Sequence, residues 1–429
     1  MGGSSWPSET QLNEIREIVS EMSGRGREQV RVVASPYRIC PLGAHIDHQG
    51  GIVSAMTINR GILLGFVPSG DNQVILRSGQ FKGRVRFRID EVSCPMNNGN
   101  DASKRDEESD WGSYARGAVY ALQSKKTCLV QGIIGYICGT EGMDSSGVSS
   151  SAAVGVAYLM ALENANNLIV SPEENIEFDR LIENEFRGLR NGILDQSAIL
   201  LSSYGSLLCM NCKTKEHKLV HPPKLGKNHE TEWQEAYKIL LAFSGLKQAL
   251  TENSGYNRRV GECQEAATVL LNASGNGAAE PVLSNVEPEA YQTHKHVLKP
   301  NLAKRAEHFF SENMRVIKGL EAWASGRFKD FGTLITESGL SSIQNYECGS
   351  KPLIQLREIV LRAPGVFGAR FSGAGFRGCC VALVDANLAA EAASFVREEY
   401  SKLQPDLVSH LNQEHAVVIC EAGDCARVI

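Results

Sequence analysis

Ser35-Pro-Tyr-Arg-Ile-Cys-Pro-Leu-Gly-Ala-His-Ile-Asp-His-Gln-Gly-Gly51 is the most informative stretch of the chain. Arg38, Gly43, His45 and Asp47 fall within ten residues, followed by His48 and the pair Gly50 and Gly51. An arginine supplies donors in a fixed planar fork, and a carboxylate held in a glycine-flanked turn supplies acceptors. With an imidazole between them, these groups can grip the vicinal hydroxyls of a small polar ligand. Alone, the stretch reads equally well as a polar turn that leaves a strand over 30–34 and enters the apolar segment beginning at 52.

The bulk composition narrows the classes of partner. The chain has 429 residues, 42% hydrophobic and 22% charged, with a net charge of −5. That length accommodates two units, each with its own core. A mild negative balance without a basic block argues against nucleic acid or an anionic membrane as partner, so an anionic ligand needs a local site. The opening Met-Gly-Gly-Ser-Ser-Trp-Pro has neither a charged nor an apolar signal region. The longest apolar runs, such as 152–162, are too short for a membrane span. Twelve cysteines are scattered along the chain, most of them inside apolar segments, where cysteine acts as a small hydrophobe. The expectation is a reduced, cytoplasmic protein, monomeric or weakly homo-oligomeric.

Residues 97–110 are nearly all polar and read as a solvated insertion. Residues 213–233 are charged, contain Pro222-Pro223, and place a boundary between units 1–215 and 216–429. Strand-type runs at 52–58, 61–67, 132–138 and 205–210 alternate with helices in the first unit. In the second, a strand at 239–243 leads to helical periodicity over 301–325 and 351–363, and a strand at 379–384 follows a glycine turn. The mixture is α+β.

Three further stretches carry chemistry. Asp144-Ser-Ser-Gly-Val-Ser-Ser-Ser-Ala-Ala153 runs into an apolar helix over 154–162. A small-residue loop opening a helix offers unpaired N–H groups and the positive end of the dipole to an anion. It also reads as an N-cap cluster on an ordinary buried helix. There is no G-x-x-x-x-G-K-[ST], so any phosphate site has a different architecture. Glu183-Asn-Glu-Phe-Arg-Gly-Leu-Arg-Asn-Gly-Ile-Leu-Asp195-Gln contains acids of the kind that usually line a solvated face, but the apolar neighbours of Asp195 point to partial burial. Gly368-Ala-Arg-Phe-Ser-Gly-Ala-Gly-Phe-Arg-Gly-Cys379 satisfies G-x-G-x-x-G at Gly373, Gly375 and Gly378. Because it leads into a strand, it is a poor dinucleotide fingerprint.

In this order the four stretches resemble the galactokinase-type sugar kinases of the GHMP kinase superfamily. The family signature Gly-Arg-x-Asn-x-x-Gly-Glu-His-Thr-Asp-Tyr is kept at Arg38, Gly43, His45 and Asp47, and departs at Cys40, Ala44, Ile46 and His48. The family phosphate loop Pro-x-Gly-x-Gly-Leu-Ser-Ser-Ser-Ala matches Gly147, Val148, Ser149, Ser150, Ser151 and Ala152, with Met143, Ser145 and Ser146 as departures. The resemblance implies a two-lobed GHMP kinase fold with the active site in the cleft between the lobes. It further implies ATP as donor and Mg2+ held by Ser151 and Glu183. Asp195, twelve residues beyond Glu183, would be the base and Arg38 its charge partner. Trp111, in Trp111-Gly-Ser-Tyr114, matches a segment near the adenine. Tyr256, in Tyr256-Asn-Arg-Arg, matches a tyrosine that contacts the sugar. The glycine-rich turn bearing Ala374 and Arg377 matches one that closes the site, with Arg377 standing where the family has glycine.

Position 44 sets the expected substrate. In galactokinases the matching glutamate contacts the C6 hydroxyl of the hexose. Two carboxylates about 4 Å apart repel by roughly 4 kcal/mol at an effective dielectric near 20, about a thousandfold in affinity. Alanine would therefore admit a sugar acid with a carboxylate at C6, while His45 and Asp47 still read the galacto configuration. Tyr256 and Arg377 could face that carboxylate. The expected acceptor is D-galacturonate, phosphorylated at its anomeric hydroxyl. Galactose or L-arabinose as acceptor, or a non-catalytic sugar sensor, are the alternatives.

Overall fold

A computed structural model describes residues 6–92, 111–125, 128–143, 147–223, 236–246, 255–412 and 415–429. The expected insertion at 97–110 and part of the linker at 213–233 lie outside them. The strands are β1 (Arg31–Leu42), β2 (Ile52–Pro68), β3 (Gln73–Ser78), β4 (Arg84–Arg88), β5 (Ile133–Gly139), β6 (Leu207–Asn211), β7 (His217–Val220), β8 (Tyr237–Phe243), β9 (Val366–Phe371), β10 (Cys379–Asp385), β11 (Val417–Cys420) and β12 (Arg427–Val428).

The first sheet runs β12-β1-β2-β5-β3-β4, with β6 on the outer part of β2 and β7 on β6. All its pairings are antiparallel except β3 with β5. Helix Glu9–Ser23 starts with a Ser8–Gln11 capping box and lays Leu12, Ile15 and Val19 on one face, against Val32, Ala34 and Leu63. Helices Gly112–Ser124 and Ser150–Ala165 cover the other face. The second sheet, β11-β8-β10-β9, is wholly antiparallel. Helices Phe328–Gln344 and Lys351–Arg362 pack on β9. Helix Pro300–Ala324 packs beside Phe328–Gln344 and also reaches β1 and β2 of the first sheet.

Two expectations are corrected. Residues 35–42 are not a turn but the second half of β1. Register shifts at Pro36/Arg38 and Ile39/Leu42 mark bulges that tolerate Pro36 and Pro41. The segments at 52–58 and 61–67 form one strand. The polar Asn59 between them is satisfied by a later segment: its N–H donates to the Glu421 carbonyl at 3.0 Å, and its Oδ1 accepts from the Glu421 N–H at 3.0 Å. The first sheet takes in β7 and, from the far end of the chain, β12, whose Val428 pairs with Val33. Cysteines behave as packing residues, and Cys40, Cys209, Cys263, Cys348, Cys379, Cys380 and Cys420 are free and buried. Cys209 and Cys212 stand at C-x-x-C spacing as free thiols, both pushed up by burial. Among the described residues no helix is long and apolar enough to cross a membrane.

The tightest approach of helix to sheet occurs where Gly332 of Phe328–Gln344 meets Gly368 of β9. A Cβ on Gly368 would overlap the Gly332 carbonyl. Gly368→Ala should therefore lower unfolding stability by about 1–3 kcal/mol, read as a lower urea midpoint at unchanged denaturant slope.

Candidate active site

The bulges in β1 aim Arg38 into the interior, where it is 4% exposed. Its Nε donates to Asp195 Oδ1 at 2.7 Å and a second guanidinium nitrogen lies 2.6 Å from the same oxygen. Nη1 reaches the Gly147 carbonyl at 3.4 Å, and the Arg38 backbone N–H donates to the Val148 carbonyl at 3.2 Å. One arginine thus ties together β1, the serine loop and the start of helix Leu194–Leu201, where Asp195 sits in the first turn.

Beyond β1 the chain turns through two left-handed residues, Gly43 at φ 93° and His45 at φ 67°. At Gly43 a side chain would strike the backbone of Val53 and Ile52, so only glycine fits. The His45 ring stacks on Tyr346 (centroids 4.3 Å apart, planes 10° apart), and its Nε2 lies 3.6 Å from Cys348 Sγ. Burial, reinforced by Arg370, keeps this ring neutral. His48 Nε2 lies 3.2 Å from the Tyr346 hydroxyl, and burial pulls its pKa down to about 4. Asp47 accepts the Leu194 N–H at 3.4 Å and leaves no room for a side chain at Gly192. Burial first, and then the charge of Asp195, pushes its pKa up to about 6.

Ser149 is left-handed at φ 60° and opens helix Ser150–Ala165 without a side-chain cap. The Ser149 side chain gives the N–H groups of that first turn no cap, the arrangement that attracts an anion. The glycine turn backs onto this loop. The Ser372 hydroxyl donates to the Gly147 carbonyl at 2.7 Å, and Gly147 and Gly373 approach too closely for side chains. Residues 144–146 of the loop lie outside the described residues.

Glu183 sits on a π-helical turn, Ile182–Phe186, and is 3% exposed. Burial raises its pKa to about 7 and Asp195 adds to the rise, against a hydrogen bond with Ser151 and the charge of Arg187. Asn191 donates to its Oε2 at 3.3 Å, while Oε1 is buried with no hydrogen-bond partner among the described residues. At the start of helix Gly112–Ser124, Trp111 is buried, and the Arg187 guanidinium lies 4.9 Å from the centroid of the Tyr114 ring.

These parts enclose one cavity of about 340 Å³. Its wall includes Arg38, Ala44, His45, Asp47 and Asp195, then Gly147 and serines 149–151, then Trp111. Tyr256, Ala374 and Arg377 also line it. Of the residues expected at the site, Val148 and Ala152 are buried in the core behind the loop, and Glu183 lies behind Ser151; none of the three lines the cavity. Sequence reasoning did not single out Arg187 and Asn191, although both lie in the quoted acidic stretch, or the supports His308, Glu312, Tyr346 and Cys348. The available signal was His308 and Glu312 interrupting the apolar stripe of Leu302, Ala306, Phe309 and Val316.

The chain matches the GHMP kinases N terminal domain over residues 113–203 and GHMP kinases C terminal over residues 316–402. It belongs to the GHMP kinases, among the sugar kinases of that family. Galacturonokinase of Arabidopsis thaliana is 66% identical over 430 residues, covering 99% of this chain and 100% of that one. Galactokinase of Lactobacillus helveticus is 30% identical over 397 residues, 92% of this chain and 95% of the other. The structure of Lactococcus lactis galactokinase complexed with galactose superposes with a TM-score of 0.82 at 28% identity, covering 97% of this chain and 99% of that chain. The chain is thus an ATP-dependent sugar kinase.

Folding lifts the Asp47 carboxyl from 3.8 to about 6. The folded state therefore holds a proton that the unfolded chain has already released in that interval. The resulting stability is present below about pH 4 and is lost as pH rises through about 6. In the absence of sugar and nucleotide, Asp47→Asn should flatten this fall, seen as thermal midpoints that converge with wild type at pH 4 and exceed it at pH 7.

Proposed function

We infer that this chain transfers the γ-phosphoryl group of ATP to the anomeric hydroxyl of D-galacturonate, giving α-D-galacturonate 1-phosphate and ADP. The observation that carries the substrate is Ala44, a small apolar wall of the cavity in a loop that keeps Arg38, His45 and Asp47. The galacturonokinase similarity over the whole chain supports the same reading. A glutamate at this position would set a second carboxylate against C6 of the sugar acid. Tyr256 and Arg377 on the cavity wall supply a hydroxyl and a cation toward the sugar, beside Ala374.

Phosphoryl transfer asks the protein for positioning and charge neutralisation more than for covalent chemistry. In this reading His45 and Asp47 hold the ring hydroxyls. Asp195 orients the anomeric hydroxyl and takes its proton as the oxygen–phosphorus bond forms and the bond to ADP breaks. Arg38, fixed by burial, keeps Asp195 in place and offsets charge on the transferring group. Gly147 and serines 149–151 receive the phosphates, with Val148 and Ala152 anchoring the loop from behind, and Trp111 flanks the base. The donor set fits a magnesium ion. A buried carboxylate oxygen with no hydrogen-bond partner among the described residues, beside a serine hydroxyl, offers the hard oxygen donors such an ion takes, with water and phosphate oxygens filling its other positions. Glu183, through its unpartnered Oε1, and Ser151 would hold it. When bound, Mg2+ supplies neutralisation of phosphate charge.

The units 1–215 and 216–429, with β7 and β12 reaching back to the first sheet, are part of this proposal. So are a cytoplasmic location, a monomeric or weakly homo-oligomeric state, and the absence of nucleic-acid or membrane partners.

ADP release with Mg-ATP should be followed against D-galacturonate, D-galactose, L-arabinose and D-glucuronate. Galacturonate should be the preferred acceptor, and Ala44→Glu should lower its kcat/KM by about a hundredfold or more. A wild type that prefers galactose or arabinose would overturn the substrate while leaving the kinase. ATP binding without turnover on any sugar would favour a sensor. Asp195→Asn should lower kcat by about 10²–10⁴ with little change in the KM for ATP, measured at saturating sugar.

A further inference from the structure

The loop at 43–48 closes on a 3-10 turn over Asp47–Gln49, but its opening residues, Gly43 and Ala44, bond to a distant helix. Helix Pro300–Ala324, from the other half of the chain, meets the loop with His308 and Glu312, one turn apart, and meets the start of β2 with Asn313. His308 is 1% exposed; its Nε2 lies 3.0 Å from the Ala44 carbonyl and its Nδ1 lies 2.9 Å from the Ser341 hydroxyl. Because a carbonyl can only accept, Nε2 must carry the proton, and Nδ1 then accepts from Ser341. Glu312 is fully buried, and its Oε1 accepts the Gly43 N–H at 2.8 Å and the Ser338 hydroxyl. Arg315 at 2.7 Å and Arg370 at 3.5 Å balance its charge. Half-buried Asn313 accepts the Ile52 N–H at 2.7 Å through Oδ1. Helix and loop approach so closely that a Cβ on Gly319 would overlap Leu42.

We propose that His308, Glu312 and Asn313 are positioning residues for the acceptor sugar: their grip on Ala44 O, Gly43 N and Ile52 N sets where Ala44 and His45 stand on the cavity wall. The inference rests on the reading of this loop as the sugar site. The N–H of Gly43 donates and the carbonyl of Ala44 accepts, so two peptide groups, one before and one after the 43–44 peptide, are held from one helix around the residue whose size selects the substrate. The bonds to Gly43 and Ala44 also satisfy buried backbone groups that lie beyond the end of β1. The consequence is specific to the sugar. Among the described residues the helix makes no hydrogen bond to the serine loop, so loss of this grip displaces the acceptor wall and leaves the nucleotide wall in place.

His308 offers a discriminating pair of variants. Glutamine places an amide N–H near the former Nε2 and can still donate to Ala44; asparagine reaches only the former Nδ1 position. His308→Asn should raise the KM for galacturonate about tenfold with the KM for ATP within about twofold of wild type, and His308→Gln should restore most of the loss. Calorimetric titration of each protein with the sugar alone should show the same order of affinity. Asn313→Ala, at the edge of the contact, should give the same split with a smaller rise. Equal sugar affinities for the Asn and Gln variants, or a parallel rise in both KM values, would overturn the proposal. If wild type prefers galactose, the galacturonate reading falls separately. The same comparison on galactose then decides the positioning role. If no sugar turns over, the order of calorimetric affinities decides it.

Discussion

The guanidinium of Arg38 has given up nearly all its water, and the Asp195 carboxylate makes that burial tolerable. Stripping an ion of solvent costs several kcal/mol and is recovered only with good geometry and further hydrogen bonds. Here the geometry is a two-nitrogen contact to one oxygen, completed by the Gly147 carbonyl. Since the three partners come from β1, the serine loop and helix Leu194–Leu201, the pair fixes three segments at once. Asp47 is raised by the same Asp195 charge, and Glu183 feels it through the wall behind Ser151.

That arrangement leaves the cavity poised. Asp47 and Glu183 are carboxyls whose charge is disfavoured by burial, and neither has a cation bound tightly to it as Asp195 has. Ligands bringing hydroxyl groups to one and a divalent cation to the other would relieve both. In the free protein a proton serves the same end, since burial raises both carboxyls.

What could be read from the sequence was local. Arg38, His45, Asp47, serines 149–151, Glu183 and Asp195 each sit in short stretches where glycine, serine and acid residues occur at spacings ordinary helices and strands do not need. All of them except Glu183, which lies behind Ser151, converge on one cavity through the sheet order β1-β2-β5 and the helix after the serine loop. The far side of the loop was illegible. His308 contacts Ala44 across 264 residues, and Glu312 reaches Gly43 across 269. Helical periodicity says only that they point inward. Pro36, Arg38 and Pro41 looked like a turn because β1 is buried along almost its whole length and bulged, so the alternation that marks a half-exposed strand is missing. Asn59 and Arg60 broke an apolar run in sequence, but the Glu421 segment pairs with the break.

The strand that carries Arg38 also has a history in time. Its outer edge is closed by β12, with Val33 and Ala34 opposite Val428 and Arg427 and the Ile429 N–H donating to the Val32 carbonyl. In folding, β1 waits for a strand that lies hundreds of residues further along the chain. In between, β1 presents an unpaired edge, the kind of surface that recruits other chains. A pairing of such long sequence separation also forms slowly. Until β12 docks, the sheet that carries Arg38 keeps an edge able to pair with another chain.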